Sequence, residues 1–537
     1  MNSIKTLKHI ATLALAIIFL ANCSSEDTLT SDWIESNTTE SNLTLGTLDA
    51  SNFVWLGASI SAGYQDGGFF KEGQENAYPT IVARQLQQAD PTITYNYPNI
   101  VTPPGTGRTR IDLNAALVFL TTGQGSLGDA LIRGSSDPFV AGGIKQNTNS
   151  PIHNYSVPGI RTIDMGVAGY GQANPFFGAF MSGPTATVLG DAVASSPSFF
   201  SLWPGGNDLL GYALGGGSVD GYDPTNTGAL TDPATFSAAL NGALSALTAN
   251  GSHGIVLNVA PWTIIPFFQA ATQLSGGVNL LPAGSIDVST AAFLNSVAAY
   301  GAYNAALDQV VLAGAITAEE AAMRKITFTA DVANSPVITD ESLTDLSAMG
   351  IASMRQASPG VASQGIPADI FPLTAIFAIG VPQEDGSVPG VSVPLADQYT
   401  LTAAEQGNIL AHAAQYNAAI TAAVNSNDNL HMMDIQPMMA DLFGLSPQIA
   451  AAIGMGNAGV QAADGVLGFM SGGINLVPLS LTQAELYNSV FSTDFVHPNP
   501  RGQALIANEI IKVLNAKYGA TIPVVDPLTF EPIYAPF

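Results

Sequence analysis

Phe53-Val54-Trp55-Leu56-Gly57-Ala58-Ser59-Ile60-Ser61-Ala62-Gly63-Tyr64 is the stretch whose reading decides the fold. An apolar run ends in Gly57, a small residue and Ser59, and a second glycine, Gly63, follows. An apolar run bounded by glycine fits a strand buried on both faces, and the change to small and polar residues fits a sharp turn beyond its end. Such a turn exposes the Ser59 hydroxyl and makes it a candidate nucleophile. An ordinary strand-to-helix loop has the same local composition, so distant segments must supply the rest of the argument.

Those segments repeat one pattern. Strands are expected at residues 153–159, 198–203, 254–259 and 430–435, and helices at 78–88, 402–424 and 502–518. A further helix has Asp232 as N-cap, Pro233 at its first position and a stop at Asn250-Gly251. Thr402 and Glu405 have the spacing of a capping box. Recurring strand, loop and helix predict an α/β fold with a parallel sheet and helices on both faces. In such sheets ligands bind beyond the carboxyl ends of the strands. Ser59, Gly159 and Asn207 all follow expected strand ends.

The pattern is less regular between residues 261 and 401. Helices are expected at 290–312 and, from Thr317 with Glu320 as its capping partner, to about Met323; a strand is expected at 325–330. Frequent proline and glycine make this segment, bounded at about 261–400, an insertion placed to lie over the strand ends as a cap. A second irregular segment covers 438–486. One enlarged domain, 51–525, with a short tail at 526–537, accounts for the chain, and there is no internal repeat.

Composition narrows the function. Of 537 residues, 47% are hydrophobic and 10% charged, which excludes general disorder. A formal net charge of −26 repels nucleic-acid phosphates, so no nucleic-acid partner is expected. Lys5 and Lys8 precede an apolar run at 10–21 that is too short for a comfortable membrane span and reads as an export signal over 1–22. Cys23, the only cysteine, ends it and excludes an intrachain disulfide. Residues 23–50, rich in Ser, Thr, Asn and acid, read as a flexible tether. The loop Pro103-Pro104-Gly105-Thr106-Gly107-Arg108-Thr109 mimics a phosphate-binding loop but has Thr102 and Arg108 where that motif needs Gly and Lys. No histidine pair has zinc spacing, and Asp220, Asp223 and Asp232 lack calcium-loop spacing, so neither metal nor cofactor is expected. His153, near the second strand end, is a candidate lining residue. His412 reads as a packed or surface residue.

The most informative distant stretch is Ser492-Thr493-Asp494-Phe495-Val496-His497-Pro498-Asn499-Pro500-Arg501-Gly502. It puts an acid and an imidazole on one loop. A neutral imidazole takes a proton from a serine hydroxyl, and a carboxylate on its other nitrogen fixes the tautomer and stabilises the imidazolium.

Together these segments resemble the GDSL/SGNH hydrolases, esterases and lipases with a flavodoxin-like three-layer α/β/α sandwich. Gly57-Ala58-Ser59-Ile60 is similar to the first block, Pro158-Gly159 to the second, Gly205-Gly206-Asn207-Asp208 to the third and Asp494-x-x-His497 to the fifth. The resemblance implies Ser59 as nucleophile, His497 as general base and Asp494 as orienting acid. It implies the Ser59 and Gly159 N–H groups and the Asn207 amide as oxyanion donors. Ala58 departs from the usual Asp, and altered local hydrogen bonding is expected there rather than lost chemistry. Asp66-Gly67-Gly68-Phe69-Phe70-Lys71-Glu72-Gly73-Gln74-Glu75-Asn76 and His497-Pro498-Asn499-Pro500-Arg501-Gly502 resemble long lipoprotein members from Bacteroidetes-type bacteria. Leu20-Ala21-Asn22-Cys23 resembles a lipobox, and Ser24-Ser25-Glu26-Asp27 an acidic surface-export tag. The implied protein is a monomeric exported lipoprotein, anchored in the outer membrane through Cys23 and exposed at the cell surface. Its implied substrates are lipid or acyl esters, or acetylated glycans. A glycan- or lipid-binding lipoprotein on an inactive hydrolase scaffold is the alternative, and a peptidase with the same triad is a second.

Overall fold

The computed structural model describes residues 43–100, 151–217, 228–259, 265–268, 271, 277–361, 366–438 and 490–531, with short paired segments at 110–111, 131–132, 144–145, 470–471 and 474–475. Cys23, the 103–109 loop, Asp220, Asp223 and most of the 438–486 segment lie outside the described residues.

A parallel sheet carries the strands β1 (Phe53–Leu56), β2 (Phe199–Leu202), β3 (His253–Leu257) and β4 (Leu430–Met433), adjacent in that order. Residues 153–157 run along the other edge of β1. The Trp55 N–H donates to the His153 carbonyl at 2.7 Å, and the Tyr155 and Val157 N–H groups donate to the Trp55 and Gly57 carbonyls at 2.8 and 3.0 Å. The strand expected at 153–159 is therefore a brief ladder. Pro158 has no N–H to continue it, and Gly159 turns the chain away at a φ of 81°.

The helices that position the site are α1 (Ser59–Ala62), α2 (Tyr78–Ala89), α3 (Gly206–Leu214), α4 (Pro233–Thr248), α5 (Ala403–Asn425) and α6 (Pro500–Tyr518). Alternate strand residues point to opposite faces. Val54, Leu56, Phe200, Leu202 and Val256 enter one core with α4 and α5. Phe53, Trp55, Phe199, Ile255 and Leu257 enter another with α2 and α6. Both faces are thus covered by helices, and the apolar strands are buried without alternation. Among the described residues no helix is long and apolar enough to cross a membrane.

Local signals set the helix ends. The Asp232 carboxylate accepts from the Thr235 N–H at 2.9 Å, and Pro233 occupies the first helical position. Thr402 and Glu405 cap α5 reciprocally. Helix α6 starts two residues before Gly502, because Asn499 accepts from the Arg501 and Gly502 N–H groups and Pro500 fits the first turn. Residues 44–50 are not a loose tether. Thr47 donates to the Tyr518 carbonyl, Thr521 donates to the Thr44 carbonyl, and Leu48 and Ala50 are buried beside α6.

In the insertion the helix expected at 290–312 is two, Val288–Leu294 and Tyr300–Leu312. The Asn295 side chain pairs with both backbone groups of Phe328, and Gly301 donates back to the Ser296 carbonyl, so the chain folds onto itself between them. Among the described residues, the strand expected at 325–330 pairs with no other strand. Side-chain amides of Asn304, Asn295 and Asn334 take the backbone groups of Ile326, Phe328 and Thr329 instead. These residues form cores of their own around Phe328, Val337, Ile338 and Phe371.

Where the insertion meets α5, carboxylate oxygens of Glu341, Asp397 and Glu405 lie within 4.8 Å of one another. Burial, and then the charges of Glu341 and Glu405, push the Asp397 carboxyl up to about 8. Burial likewise brings Glu405 up to about 7. An acid with a raised folded pKa stabilises the fold fully below its unfolded value and loses that contribution as pH rises through the folded one. In EDTA, Asp397→Asn is therefore expected to leave Tm nearly unchanged at about pH 4 and to raise it by several degrees at about pH 9. Calorimetry at the two pH values checks this; an unchanged or lower Tm at the higher pH overturns it.

Candidate active site

Ser59 is the first residue of α1, directly beyond β1, so its N–H has no acceptor within the helix. Side chains from three other segments fix this single turn. The Asn154 amide donates to the Ser61 carbonyl at 2.9 Å, and the Gln503 amide donates to the Ile60 carbonyl at 3.1 Å. The Gln503 carbonyl oxygen accepts from the Tyr78 N–H at 3.0 Å. The Ser61 and Tyr78 hydroxyls share a 2.7 Å hydrogen bond. Burial pushes the Tyr78 hydroxyl far up, so it stays a neutral partner.

The loop before α6 brings His497 to Ser59. His497 Nε2 lies 2.8 Å from Ser59 Oγ, and His497 Nδ1 lies 2.8 Å from Asp494 Oδ2. With its proton on Nδ1 facing the carboxylate, the imidazole leaves Nε2 free to accept the serine proton. Asp494 Oδ1 accepts from the Ser492 hydroxyl and from the Val496 and His497 N–H groups, each at 2.9 Å. Asp494 Oδ2 also accepts from the Gly67 N–H at 2.8 Å. Burial opposes the charge, but His497 and these N–H donors outweigh it and hold the Asp494 carboxyl at about 2. Phe495, between acid and base, is left-handed at a φ of 63°. A bulky residue there carries strain of order 1–3 kcal/mol. Its ring is fully buried, its N–H donates to the Ser492 carbonyl and its carbonyl accepts from the Phe267 N–H, which together hold the conformation.

The third wall follows β2. Gly205, at a φ of 86°, caps α3 where a Cβ would run into Val259, so only glycine fits. Asn207 is then the second residue of α3, and its amide donates to the Ile160 carbonyl at 2.9 Å. An amide has two donors, which leaves one for a ligand. The fully buried Asp208 accepts from the Thr162 N–H and hydroxyl at 2.8 Å, and Thr162 Oγ1 accepts from the Gly205 N–H at 2.9 Å. Burial pushes the Asp208 carboxyl up despite these bonds. The turns after residue 157 and after β2 are thereby stitched together. The Asn174 amide donates to the Pro158 carbonyl at 2.9 Å, fixing the peptide that carries the Gly159 N–H.

Ser59, Asn207 and His497 line one cleft, flanked by the apolar side chains of Ile60, Trp203, Leu210 and Val496. Asp494 lies behind His497. Gly159 lies on the neighbouring turn, outside the residues that line the cleft. His153 is not in the cleft either: it is buried, and its Nδ1 accepts from the Asn96 N–H at 3.0 Å. His412 is half-buried on α5, its ring edge-on to that of Tyr416. Sequence reasoning missed Gly67, Ser492, Thr162, Asn174 and Gln503. Ser492 carried a signal, since a hydroxyl two residues before an acid can bond to it. For the others only the fold reveals the contact. Comparison of the chain with protein-family models, with curated proteins and with solved structures returns no match.

Proposed function

We propose that the chain is a serine carboxylic-ester hydrolase of the GDSL/SGNH type, an esterase or lipase on a flavodoxin-like α/β/α sandwich. The observation that carries the reading is the unbroken chain from Asp494 Oδ2 through His497 to Ser59 Oγ, 2.8 Å at each link, at the carboxyl edge of a parallel sheet. With residues 153–157 at the edge of β1, the strands lie in the spatial order second, first, third, fourth, fifth. That order supports the flavodoxin-like assignment, whose switch point falls between β1 and β2. Ser59 follows the first of these strands and Asn207 the second.

In the reaction Ser59 Oγ attacks the ester carbonyl while His497 takes its proton. The oxyanion of the tetrahedral intermediate accepts from the Ser59 N–H and the Asn207 amide, and the Gly159 N–H, on the neighbouring turn outside the cleft lining, is the third donor that the resemblance implies. Each such donor contributes roughly 3–4 kcal/mol to the transition state. The imidazolium, balanced by Asp494, protonates the leaving alcohol. Water activated by His497 then releases the acid from Ser59. The apolar flanks of the cleft suit an acyl group, in a lipid ester or an acetylated glycan. The N-terminal segment supports export and a lipid anchor on Cys23, with the enzyme working as a monomer at the outer-membrane surface.

The purified protein is expected to hydrolyse p-nitrophenyl acetate and to take up one equivalent of an organophosphonate on Ser59, read by peptide mass mapping. It is expected to leave a panel of peptide substrates uncut. A folded protein that does neither reaction is a binding scaffold, and one that cuts peptides but not esters is a peptidase; either result refutes the esterase reading.

A further inference from the structure

The stretch Asp66-Gly67-Gly68 has no part in the reaction just described, yet it touches the catalytic acid. Gln65 and Gly68 exchange both backbone hydrogen bonds, at 3.0 and 2.9 Å. Between them Asp66 and Gly67 are both left-handed, with φ of 55° and 69°. These are the central residues of a type I′ turn. Its two N–H groups point at the loop before α6. The Asp66 N–H donates to Ser492 Oγ at 3.0 Å, and Ser492 in turn donates to Asp494 Oδ1 at 2.9 Å. The Gly67 N–H donates directly to Asp494 Oδ2, the oxygen that faces His497 Nδ1. The Asp66 carboxylate completes the grip by accepting from the Thr493 N–H and hydroxyl, each at 2.9 Å. Asp66, Ser492 and Thr493 are all buried.

We propose that the 65–68 turn is a working part of the active site, with Asp66 and Gly67 as positioning residues that hold the Asp494 carboxylate at the rotation His497 requires. The inference rests on the esterase reading of Ser59, His497 and Asp494. A turn that only tied two loops together could end on any backbone group. This one ends on both oxygens of the acid, one directly and one through Ser492. Tyr64 extends the same device: its hydroxyl donates to the Gly67 carbonyl at 2.7 Å while its ring lies 4.9 Å from that of His497. Acid, base and turn therefore move as one unit.

Asp66→Gly keeps the left-handed backbone without strain and removes the grip on Thr493. Asp66→Asn retains an acceptor at the same place. Asp66→Gly is expected to lower kcat on p-nitrophenyl acetate roughly 10- to 100-fold with KM little changed, the size of a small misplacement of a catalytic group. It is also expected to broaden or shift the far-downfield proton resonance of the hydrogen bond between His497 and Asp494. Asp66→Asn is expected to recover most of both. If Asp66→Gly fails to fold, Ser492→Ala breaks the relay to Asp494 Oδ1 and is expected to move the same two readouts in the same direction. A loss of rate that only follows the unfolded fraction, with the resonance unmoved, overturns the proposal. Should the parent protein hydrolyse no ester, the resonance still decides the positioning role, so failure of the esterase reading remains separable from failure of this one.

Discussion

Ser59→Ala is expected to lower kcat on a p-nitrophenyl ester by about 10⁴- to 10⁶-fold, with Tm close to that of the parent. Among the described residues of the cleft, the Ser59 hydroxyl is the atom that His497 Nε2 is placed to activate, at 2.8 Å. Without it no acyl-enzyme forms, and only direct attack by water, helped by the oxyanion donors, remains. The hold on α1 does not pass through Ser59 Oγ but through Asn154, Gln503 and the Ser61–Tyr78 pair. The turn therefore keeps its shape when the hydroxyl is gone. Single-turnover kinetics with the organophosphonate as a check on Ser59 reads the loss. A variant that turns over as fast as the parent would show that the nucleophile lies elsewhere.

Asp494→Asn is expected to cost about 10⁴-fold in kcat and to lower stability as well. The carboxylate receives donors on both oxygens: Ser492, Val496 and His497 N–H on one, Gly67 N–H and His497 Nδ1 on the other. An asparagine can satisfy the first set through its carbonyl. Its amide then confronts the Gly67 N–H, donor against donor. It also forces His497 to carry its proton on Nε2, the nitrogen that must accept from Ser59. An unsatisfied buried donor costs roughly 1–3 kcal/mol. The pH dependence has a definite sign. A carboxyl held at about 2 contributes stability above its unfolded pKa that is lost as pH falls through the folded one. The Tm gap between parent and variant is thus expected to be full at neutral pH and to narrow between about pH 4 and pH 2. A gap that is constant across that window would contradict the charge on Asp494.

The sheet and most helix ends were legible because each rested on a local cause. The apolar run Phe53 to Leu56, bounded by glycine, fits a buried strand, and Asp232 with Pro233 or Thr402 with Glu405 define a helix start from within a few residues. The expected strand at 325–330 failed for a reason no periodicity encodes: asparagine amides elsewhere in the insertion supplied the backbone partners that a neighbouring strand would have given. The same competition broke the helix expected at 290–312, since Asn295 serves Phe328. In the candidate site, Ser59, Asn207, Asp494 and His497 could be picked out by residue type and order. Gln503, Asn174 and Gly67 could not, because each acts only through hydrogen bonds to backbone or carboxylate groups that the fold brings to it. Asp66 was visible as part of a quoted stretch, but the purpose of that stretch depends on a loop 427 residues away.

Ser59 stands just beyond β1 and His497 on the loop before α6, 438 residues later in the chain. A ribosome completes β1 early, and the growing polypeptide then carries Ser59 through most of its synthesis without an imidazole beside it. Helix α6 supplies Gln503 to the serine turn and packs beside α2, so the pocket gains its geometry and its chemistry at the same late step. Fragments ending anywhere before His497, whether from stalled translation or proteolysis, have no base to deprotonate Ser59. On the esterase reading proposed above, the chain would stay inert while it is being made, until His497 reaches Ser59.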